Sequence, residues 1–326
     1  MKANYPVSIF AGRAVEDHLR PLTSLPESFD SKAAYKSEHI FAGGSAPNAA
    51  ITHGILGRKA FHRDTAYLYT PIGHDNGAIR EELDDNGVTL RDCSPGNDFF
   101  LQRNFCFVND TVRFIAKDET PERNKYAEDI IAMPPVRQRR LSYDMEMADV
   151  VMLECRCPLI TTAVGRAAKD NKIPVVLDAG TWKPYVSTLI ALSDIIIASQ
   201  EFKPENQSMT PEQIIGYFIS KGKENVAVTR GVDSTLLNTP NGIIKIPTPN
   251  FKSVDTSAAG DIMHGAFCFY FARSGDIAWS IEQANKVASE SIRFLGPREG
   301  ILRMTAEDIP TPSTSKVVVP ASEYAI

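Results

Sequence analysis

The chain has 326 residues, of which 35 are basic and 40 acidic, so its formal net charge is -5. This charge gives no electrostatic footprint for nucleic acid or for an anionic membrane, and we expect neither as a partner. The apolar fraction of 43% and the charged fraction of 23% exclude a disordered, collagenous or coiled-coil chain. The longest uncharged apolar stretch, residues 265–272, is too short to span a bilayer.

Cysteine usage and the first residues indicate the compartment. The five cysteines show no Cys-x-x-Cys spacing, so reduced thiols are expected rather than a disulfide framework or a zinc site. The chain begins without the long apolar region of a secretory signal. We therefore expect a cytoplasmic protein.

Short runs rich in β-branched residues alternate with stretches of helical spacing. The runs lie at residues 7–10, 149–153, 174–178, 194–198 and 225–229. Between two of them, Ile160, Val164 and Ala167 follow the spacing of one helix face. Strands that alternate with helices are typical of crossover units and a parallel sheet, so the sequence predicts an α/β fold.

Two segments break this alternation. Residues 13–42 have no sustained helical stripe, and residues 99–116 are predicted to form a hairpin that turns at Asn109 and Asp110. Together they predict a small β-sheet lid over the ligand site. The α/β core would then comprise residues 1–12, 43–98 and 117–326.

The most informative motif is Asp-Thr-Ser-Ala-Ala-Gly-Asp at residues 255–261, which precedes an apolar helical run over 262–272. Small residues at a helix start let main-chain N–H groups approach an anion, and the helix dipole favours negative charge there. Asp261 would lie in the first turn, within reach of a hydroxyl that attacks a phosphorus atom. The alternative is a plain helix cap made by Asp255 or Ser257.

A second turn of small residues, Gly-Gly-Ser-Ala-Pro-Asn at 43–48, also leads into a helix. Gly43 and Gly44 let the main chain approach a ligand closely, and Asn48 offers a donor and an acceptor to a polyol hydroxyl. The alternative is an ordinary Gly-Gly turn with Pro47 in the first helical turn.

The order and separation of these two motifs resemble the ribokinase family of carbohydrate kinases, also called the PfkB family. Residues 12–17 and 72–88 match further blocks of that family, so the resemblance covers most of the chain. It implies a ribokinase-like three-layer α/β/α fold with a mainly parallel central sheet and a small β-sheet lid. It also implies a general base at Asp261, an anion hole at Ala258, Ala259 and Gly260, and substrate contacts from Asp17, Gly43, Gly44 and Asn48.

The resemblance implies a nucleotide site as well, with ATP and Mg²⁺ as cofactors, and a monovalent cation such as K⁺ anchored near Asp255. The residues matched to the nucleotide are Ser199, Thr229, Gly231 and Asn285. Asn285 also lies on the inward face of a helix, where a buried amide needs a partner. A core asparagine bonded to the backbone is therefore the alternative for this residue.

The sequence departs from the family pattern at three places. Ala258 replaces the first glycine of the Gly-Ala-Gly run, which keeps the N–H donor but adds a Cβ. Residues 199–202 read Ser-Gln-Glu-Phe where the family usually has Asn-x-x-Glu, so Glu201 is at best a displaced substitute. Ser234 replaces the second glycine after Thr-x-Gly.

Arg156 follows the strand at 149–153, at the sheet edge where ligands of open parallel sheets gather. Its guanidinium could bind an acidic substituent of the substrate. The alternative is an ion pair with Glu154 or another neighbour.

These features predict an ATP-dependent kinase that phosphorylates a hydroxymethyl group of a sugar or sugar-like small molecule. A nucleoside kinase of the same fold, or a binding or regulatory protein that has lost turnover, remains an alternative. An NAD-dependent enzyme is disfavoured because no Gly-x-Gly-x-x-Gly follows the first strand. A homodimer through the open edge of the lid is a further expectation.

Overall fold

The computed structural model describes residues 5–23, 32–73, 76–109, 113–120 and 125–312. Within these ranges the chain forms thirteen strands and nine α-helices. The strands are β1 (Ser8–Ala11), β2 (Val15–Pro21), β3 (His39–Gly43), β4 (Ala66–Thr70), β5 (Val88–Asp92), β6 (Arg103–Val108), β7 (Arg113–Lys117), β8 (Val150–Glu154), β9 (Val175–Ala179), β10 (Ile195–Ser199), β11 (Asn225–Arg230), β12 (Asp233–Thr239) and β13 (Gly242–Ile246). The helices are α1 (Ser45–Phe61), α2 (Gly77–Asp85), α3 (Pro135–Met147), α4 (Pro158–Asp170), α5 (Val186–Leu192), α6 (Pro211–Ser220), α7 (Ala259–Ser274), α8 (Ile277–Ser291) and α9 (Glu299–Arg303).

The central sheet has nine strands in the order β13-β12-β11-β10-β9-β8-β1-β4-β5. Its pairs from β11 to β5 are parallel, and only the β11-β12-β13 edge is antiparallel. Every residue of β8 and β9 is buried, as expected of parallel strands that are covered by helices on both faces. The predicted α/β class with a mainly parallel sheet is therefore confirmed.

A second, four-stranded sheet has the order β3-β2-β6-β7 and is called the lid sheet below. It contains both segments that lacked helical spacing in the sequence. The predicted strand from residue 99 is wrong in its first part, because Phe99 and Leu101 are buried in the main core and the strand begins only at Arg103. The predicted turn at Asn109 and Asp110 lies partly outside the described residues.

Helix α7 packs directly against α1, and this contact brings two distant motifs together. A Cβ added to Gly265 would lie 2.2 Å from the carbonyl oxygen of Ala49, so only glycine permits such a close approach. Asn48 precedes Ala49 on α1, and Asp261 lies one helical turn before Gly265. The close helix contact therefore sets these two side chains next to each other.

No helix in the described ranges combines the length and the apolar character needed to cross a membrane.

Candidate active site

A cavity of about 310 Å³ lies between the lid sheet and the carboxyl ends of β8 and β9. The lid sheet contributes Asp17 and Asn104 to its wall. The core contributes residues that follow β8 and β9 and the first turns of α1 and α7, among them Gly44, Asn48, Glu154, Arg156, Asp178, Ala258 and Asp261. The cavity thus brings together both small-residue motifs and most of the predicted substrate-binding residues.

The start of α7 is not closed by a side-chain cap. Ile262 N–H donates to the Ala258 carbonyl at 2.8 Å and begins the helical ladder, so the N–H groups of Gly260 and Asp261 precede any intrahelical bond. The space where Gly260 would carry a Cβ is open to 4 Å. This helix start can therefore accept an anion.

The alternative that Asp255 or Ser257 caps α7 is wrong. Asp255 Oδ1 accepts from the N–H and the hydroxyl of Ser257 at 2.9 and 2.6 Å, and its Oδ2 accepts from the Gly296 N–H at 3.0 Å. The main-chain N–H groups of Val254 and Asp255 both donate to the Ile292 carbonyl. Asp255 therefore joins two loops behind the helix start.

Ala258 has φ of 58° and ψ of 12°, in the left-handed region. An alanine in this conformation costs about 1 kcal/mol. Replacement of the family's glycine by alanine therefore introduces local backbone strain. The N–H donor of residue 258 is retained.

Asp261 lies at the cavity wall, and its Oδ2 accepts a hydrogen bond from Asn48 Nδ2 at 2.9 Å. Burial, and next the negative charge of Asp178, raise the pKa of Asp261 to about 6. Hydrogen bonds from Asn48 and Ser45 and the nearby His264 act in the opposite direction. A carboxyl with this pKa is mostly ionised at neutral pH yet able to take a proton, which suits a general base.

Two further carboxyl groups beside the cavity were not among the predicted site residues. Glu154 and Asp178 are register partners at the ends of β8 and β9, and both are buried. Burial, and next the charge of Asp178, raise the pKa of Glu154 to about 8. Glu154 is therefore mostly protonated at neutral pH. Their positions at the carboxyl ends of two predicted strands could have identified them.

The glycine turn leaves room for Asp17. A Cβ at Gly43 would lie 2.0 Å from Asp17 Oδ2, and one at Gly44, which has φ of 98°, would lie 2.2 Å from the Arg13 carbonyl. Asn104 Nδ2 donates to Asp17 Oδ1 at 2.8 Å and orients the carboxylate. Asp17 thus extends from the lid sheet into the cavity at the level of the turn.

Arg156 also lines the cavity, but its charge is partly neutralised. Its guanidinium pairs with Glu128 at 3.2 Å, and Arg13 pairs with the same carboxylate at 3.4 Å. The ion pair considered as the alternative is therefore present, with Glu128 rather than Glu154. A role for Arg156 in binding an acidic substituent stays a prediction.

The residues assigned to the nucleotide lie elsewhere. Ser199 and Thr229 are register partners at the ends of β10 and β11, and Gly231 follows with φ of 62°. Asn285 is buried, donates to the Pro247 carbonyl at 3.1 Å and accepts from Thr235 Oγ1 at 3.3 Å. These contacts are those of a core asparagine, so the structural alternative accounts for Asn285.

Residues 199–202, which replace the family's Asn-x-x-Glu, do not bring a carboxylate into the site. Phe202, which stands where the family has Glu, is buried and stacks on Phe218 with ring centroids 5.4 Å apart. Glu201 is exposed, and its N–H donates to Ser199 Oγ. No group of His, Cys, Asp and Glu side chains among the described residues is arranged to hold a metal ion.

Fold and site together define an α/β protein that has a cavity beneath a β-sheet lid, beside a helix start suited to an anion. Comparison with known families makes the class specific. The chain belongs to the pfkB family of carbohydrate kinases, whose family model matches residues 13–302.

Individual relatives agree with this assignment. A ribokinase from Staphylococcus aureus (strain COL) is 29% identical over 160 residues, which cover 47% of this chain and 52% of that protein. The sequence match thus spans about half the length of this curated relative. The structure of ribokinase from Giardia lamblia has a TM-score of 0.75 at 16% identity and covers 93% of this chain and 97% of that one. Arabidopsis thaliana ribokinase complexed with ribose and ATP has a TM-score of 0.68 at 19% identity, with coverages of 94% and 96%. These structural likenesses confirm the ribokinase-like fold with its lid sheet.

Proposed function

We propose that this protein is an ATP-dependent kinase that phosphorylates a hydroxymethyl group of a sugar or sugar-like substrate. The observation that carries this proposal is the position of Asp261. Asn48 binds its carboxylate in the first turn of an uncapped helix, and Asp261 lines the cavity below the lid sheet. A carboxylate next to free main-chain donors is what phosphoryl transfer to an alcohol requires. Family membership and the ribose and ATP bound by the Arabidopsis thaliana enzyme support the same assignment.

In this proposal Asp17, the Gly43-Gly44 turn and Asn48 bind the acceptor hydroxyls. Asp261 accepts the proton of the reacting hydroxyl, and the amides of Ala258, Ala259 and Gly260 hold the transferring group. The Ala259 N–H donates to the Thr256 carbonyl at 3.4 Å, so it would exchange this long hydrogen bond for one to the phosphoryl group. A bound nucleotide would supply the phosphoryl group, and Mg²⁺ bound with it would neutralise part of the phosphate charge. Phosphoryl transfer needs positioning and charge stabilisation more than covalent chemistry. The hydrogen-bonded side chains of the cavity would supply the positioning, and the main-chain amides at the start of α7 would supply the charge stabilisation.

The residues of the site fit the terminal phosphate of ATP better than they fit Mg²⁺. The open space at Gly260 and the uncapped turn suit a terminal phosphate. In the absence of a carboxylate cluster within the described ranges, Mg²⁺ would be carried mainly by nucleotide phosphates and water. Ser199, Thr229 and Gly231 would border the nucleotide from the ends of β10 and β11.

The proposal includes K⁺ near Asp255. Asp255 already accepts three hydrogen bonds from Ser257 and Gly296, so it would anchor the cation-binding loops rather than ligate the cation directly. Comparing initial rates in KCl and in a tetraalkylammonium salt of equal ionic strength tests this. Equal rates would remove K⁺ from the proposal.

The decisive experiment measures ADP release over a panel of ketoses, aldoses, sugar phosphates and nucleosides. We expect one acceptor class to be clearly preferred, and Asp261→Asn to lower kcat by about a hundredfold or more. Asp170→Asn, an exposed substitution at the end of α4, is the matched control and should retain full activity. Preference for nucleosides would identify a nucleoside kinase, and binding of ligands without any ADP release would identify a binding or regulatory protein.

The lid-mediated homodimer and the cytoplasmic location stay predictions. Light scattering of the wild type and of a variant with a charge at Phe114, an exposed residue of the lid strand β7, tests the dimer. A dimer that survives this change would place the subunit contact elsewhere.

A further inference from the structure

A buried arginine lies directly behind the Gly43-Gly44 turn, and no sequence motif pointed to it. Arg298 is 5% exposed and precedes α9. Its guanidinium donates through Nε to Glu82 Oε1 at 2.7 Å, through Nη1 to Asn48 Oδ1 at 2.7 Å and through Nη2 to the Ala42 carbonyl at 2.8 Å. All three guanidinium nitrogens therefore donate to a defined acceptor. This is a buried, fully bonded arginine rather than one member of a surface ion pair.

The contact with Asn48 determines which way the amide of that residue points. A guanidinium can only donate hydrogen bonds, so the amide oxygen must face Arg298. The amide nitrogen then faces Asp261 and donates to its Oδ2 at 2.9 Å. The reversed amide would place its N–H₂ against the cation and its oxygen against the carboxylate. Arg298 thereby fixes the donor that orients Asp261.

The ion pair between Arg298 and Glu82 also binds the main chain at the end of the lid strand β3. Glu82 accepts from the Ala42 N–H, and Arg298 donates to the Ala42 carbonyl, so both main-chain groups of Ala42 are bound by one ion pair. Ala42 lies in β3, immediately before the glycine turn. The guanidinium also lies 5.7 Å from the ring centroid of Phe41, which lines the cavity.

We propose that Arg298, supported by Glu82, is a positioning residue for phosphoryl transfer that fixes Asn48 and Asp261 and ties the lid strand β3 to them. This inference rests on the proposed kinase function. Arg298 touches neither the acceptor nor the nucleotide in this proposal and acts only through Asn48 and Ala42. A purely structural ion pair would stabilise the fold equally well without affecting the titration of Asp261.

The distinguishing readout is the acid limb of the pH profile of kcat/KM. The charged and titratable groups around Asp261 are Asp178 and Glu154 at the ends of β9 and β8, and His264 on α7. The Asn48 hydrogen bond favours the ionised carboxyl, so its loss should raise the pKa of Asp261 and move the acid limb to higher pH.

The experiment compares Arg298→Gln, Asn48→Leu and the double variant with the wild type. We expect Arg298→Gln to lower kcat about tenfold or more, to leave the KM for ATP within about twofold and to move the acid limb up by about half a pH unit. The acid limb of the double variant should lie where that of Asn48→Leu lies, because Arg298 reaches Asp261 only through the Asn48 amide. The losses in kcat should be less than additive, and any loss beyond that of Asn48→Leu measures the contact of Arg298 with Ala42. Arg303→Gln is the matched control, since Arg303 forms an exposed ion pair with Glu299 on α9.

An Arg298→Gln enzyme with unchanged kcat and an unchanged acid limb would overturn the proposal, as would fully additive losses in the double variant. If Arg298→Gln does not fold, Glu82→Gln provides a second comparison, because it removes the charge that holds the guanidinium. Its single amide oxygen can accept from Arg298 or from the Ala42 N–H, but not from both. Carboxyl ¹³C NMR of Asp261 measures its titration without turnover. A wild type inactive with every acceptor would therefore refute the kinase function, while an unshifted Asp261 titration in the variant would refute the role of Arg298.

Discussion

The two halves of the proposed site are built differently. The acceptor half, consisting of Asp17, Asn48, Glu154, Asp178 and Asp261, is assembled from the lid sheet and four core elements. Its side chains are linked by hydrogen bonds that leave little freedom, such as Asn104 to Asp17 and Asn48 to Asp261.

The nucleotide half was predicted at Ser199, Thr229, Gly231 and Asn285, and it holds fewer side chains that are fixed toward a ligand. Ser199 and Thr229 are only partly buried, Gly231 is exposed and Asn285 is occupied by core contacts. We infer that acceptor selectivity and catalysis depend on preorganised side chains, whereas the nucleotide is bound largely through its phosphates and main-chain groups. Substitutions should therefore be costly in the first half and mild in the second.

The sharpest contrast is between two glycines. Gly44→Ala should lower the free energy of unfolding by about 3 kcal/mol, because its Cβ would meet the Arg13 carbonyl and its φ is 98°. Gly231 also has a positive φ, but a Cβ added there would have no atom within 4 Å. We therefore expect Gly231→Ala to lower the free energy of unfolding by only about 1 kcal/mol. Urea denaturation of both variants measures the difference. Equal losses would mean that the turn relaxes around the added methyl group.

Kinetics should show the same asymmetry. Asp17→Asn is expected to lower kcat/KM for the acceptor about fiftyfold, since hydrogen bonds to a charged group contribute about 2 kcal/mol. Thr229→Ala should change kcat/KM for ATP by less than about fivefold, because Thr229 Oγ1 makes only a 3.4 Å contact with the Ala198 carbonyl. Steady-state rates with each substrate varied in turn provide the measurement. A larger effect at Thr229 than at Asp17 would reverse the comparison.

The pH dependence follows from the raised pKa of Asp261. The base must be ionised, so kcat/KM should fall about tenfold per unit as pH drops below about 6. The stability of the folded state should depend on pH in the opposite sense. The raised pKa means that ionising Asp261 destabilises the folded state, so stability is lost as pH rises through about 6. Asp261→Asn should therefore stabilise the protein more at pH 8 than at pH 5, as measured by thermal unfolding. A flat rate profile from pH 5 to 8 would exclude Asp261 as the base.

Much of the acceptor half could be predicted from sequence because its chemistry coincides with local backbone requirements. The Gly43-Gly44 turn and residues 255–261 combine small residues with a helix start, and such patterns are visible in a short window. The parallel sheet follows in the same way from buried β-branched runs. Asp178 could have been recognised from its place at the end of a predicted strand.

Arg298 could not have been predicted in this way. Its partners Asn48 and Glu82 are 250 and 216 positions away, and only the tertiary fold brings them together. The same holds for Asn285. Helix spacing predicts that its side chain faces inward, but it does not predict that Thr235 and Pro247 are its hydrogen-bond partners. The start of β6 was predicted too early because apolar residues tied to the main core look like strand residues in sequence.

The smallest predicted effect concerns the residue that departs from the family pattern at the anion hole. Ala258 adopts φ of 58°, which costs an L-residue about 1 kcal/mol more than it costs glycine. Ala258→Gly removes this strain but adds backbone entropy to the unfolded chain, so a net gain of roughly 0.5 kcal/mol is expected. Ala259→Gly is the control, because residue 259 is already helical and the same entropy change should be neutral or destabilising there. Chemical denaturation of both variants decides the sign. Loss of stability in Ala258→Gly would show that the methyl group of Ala258 is held by packing rather than tolerated under strain.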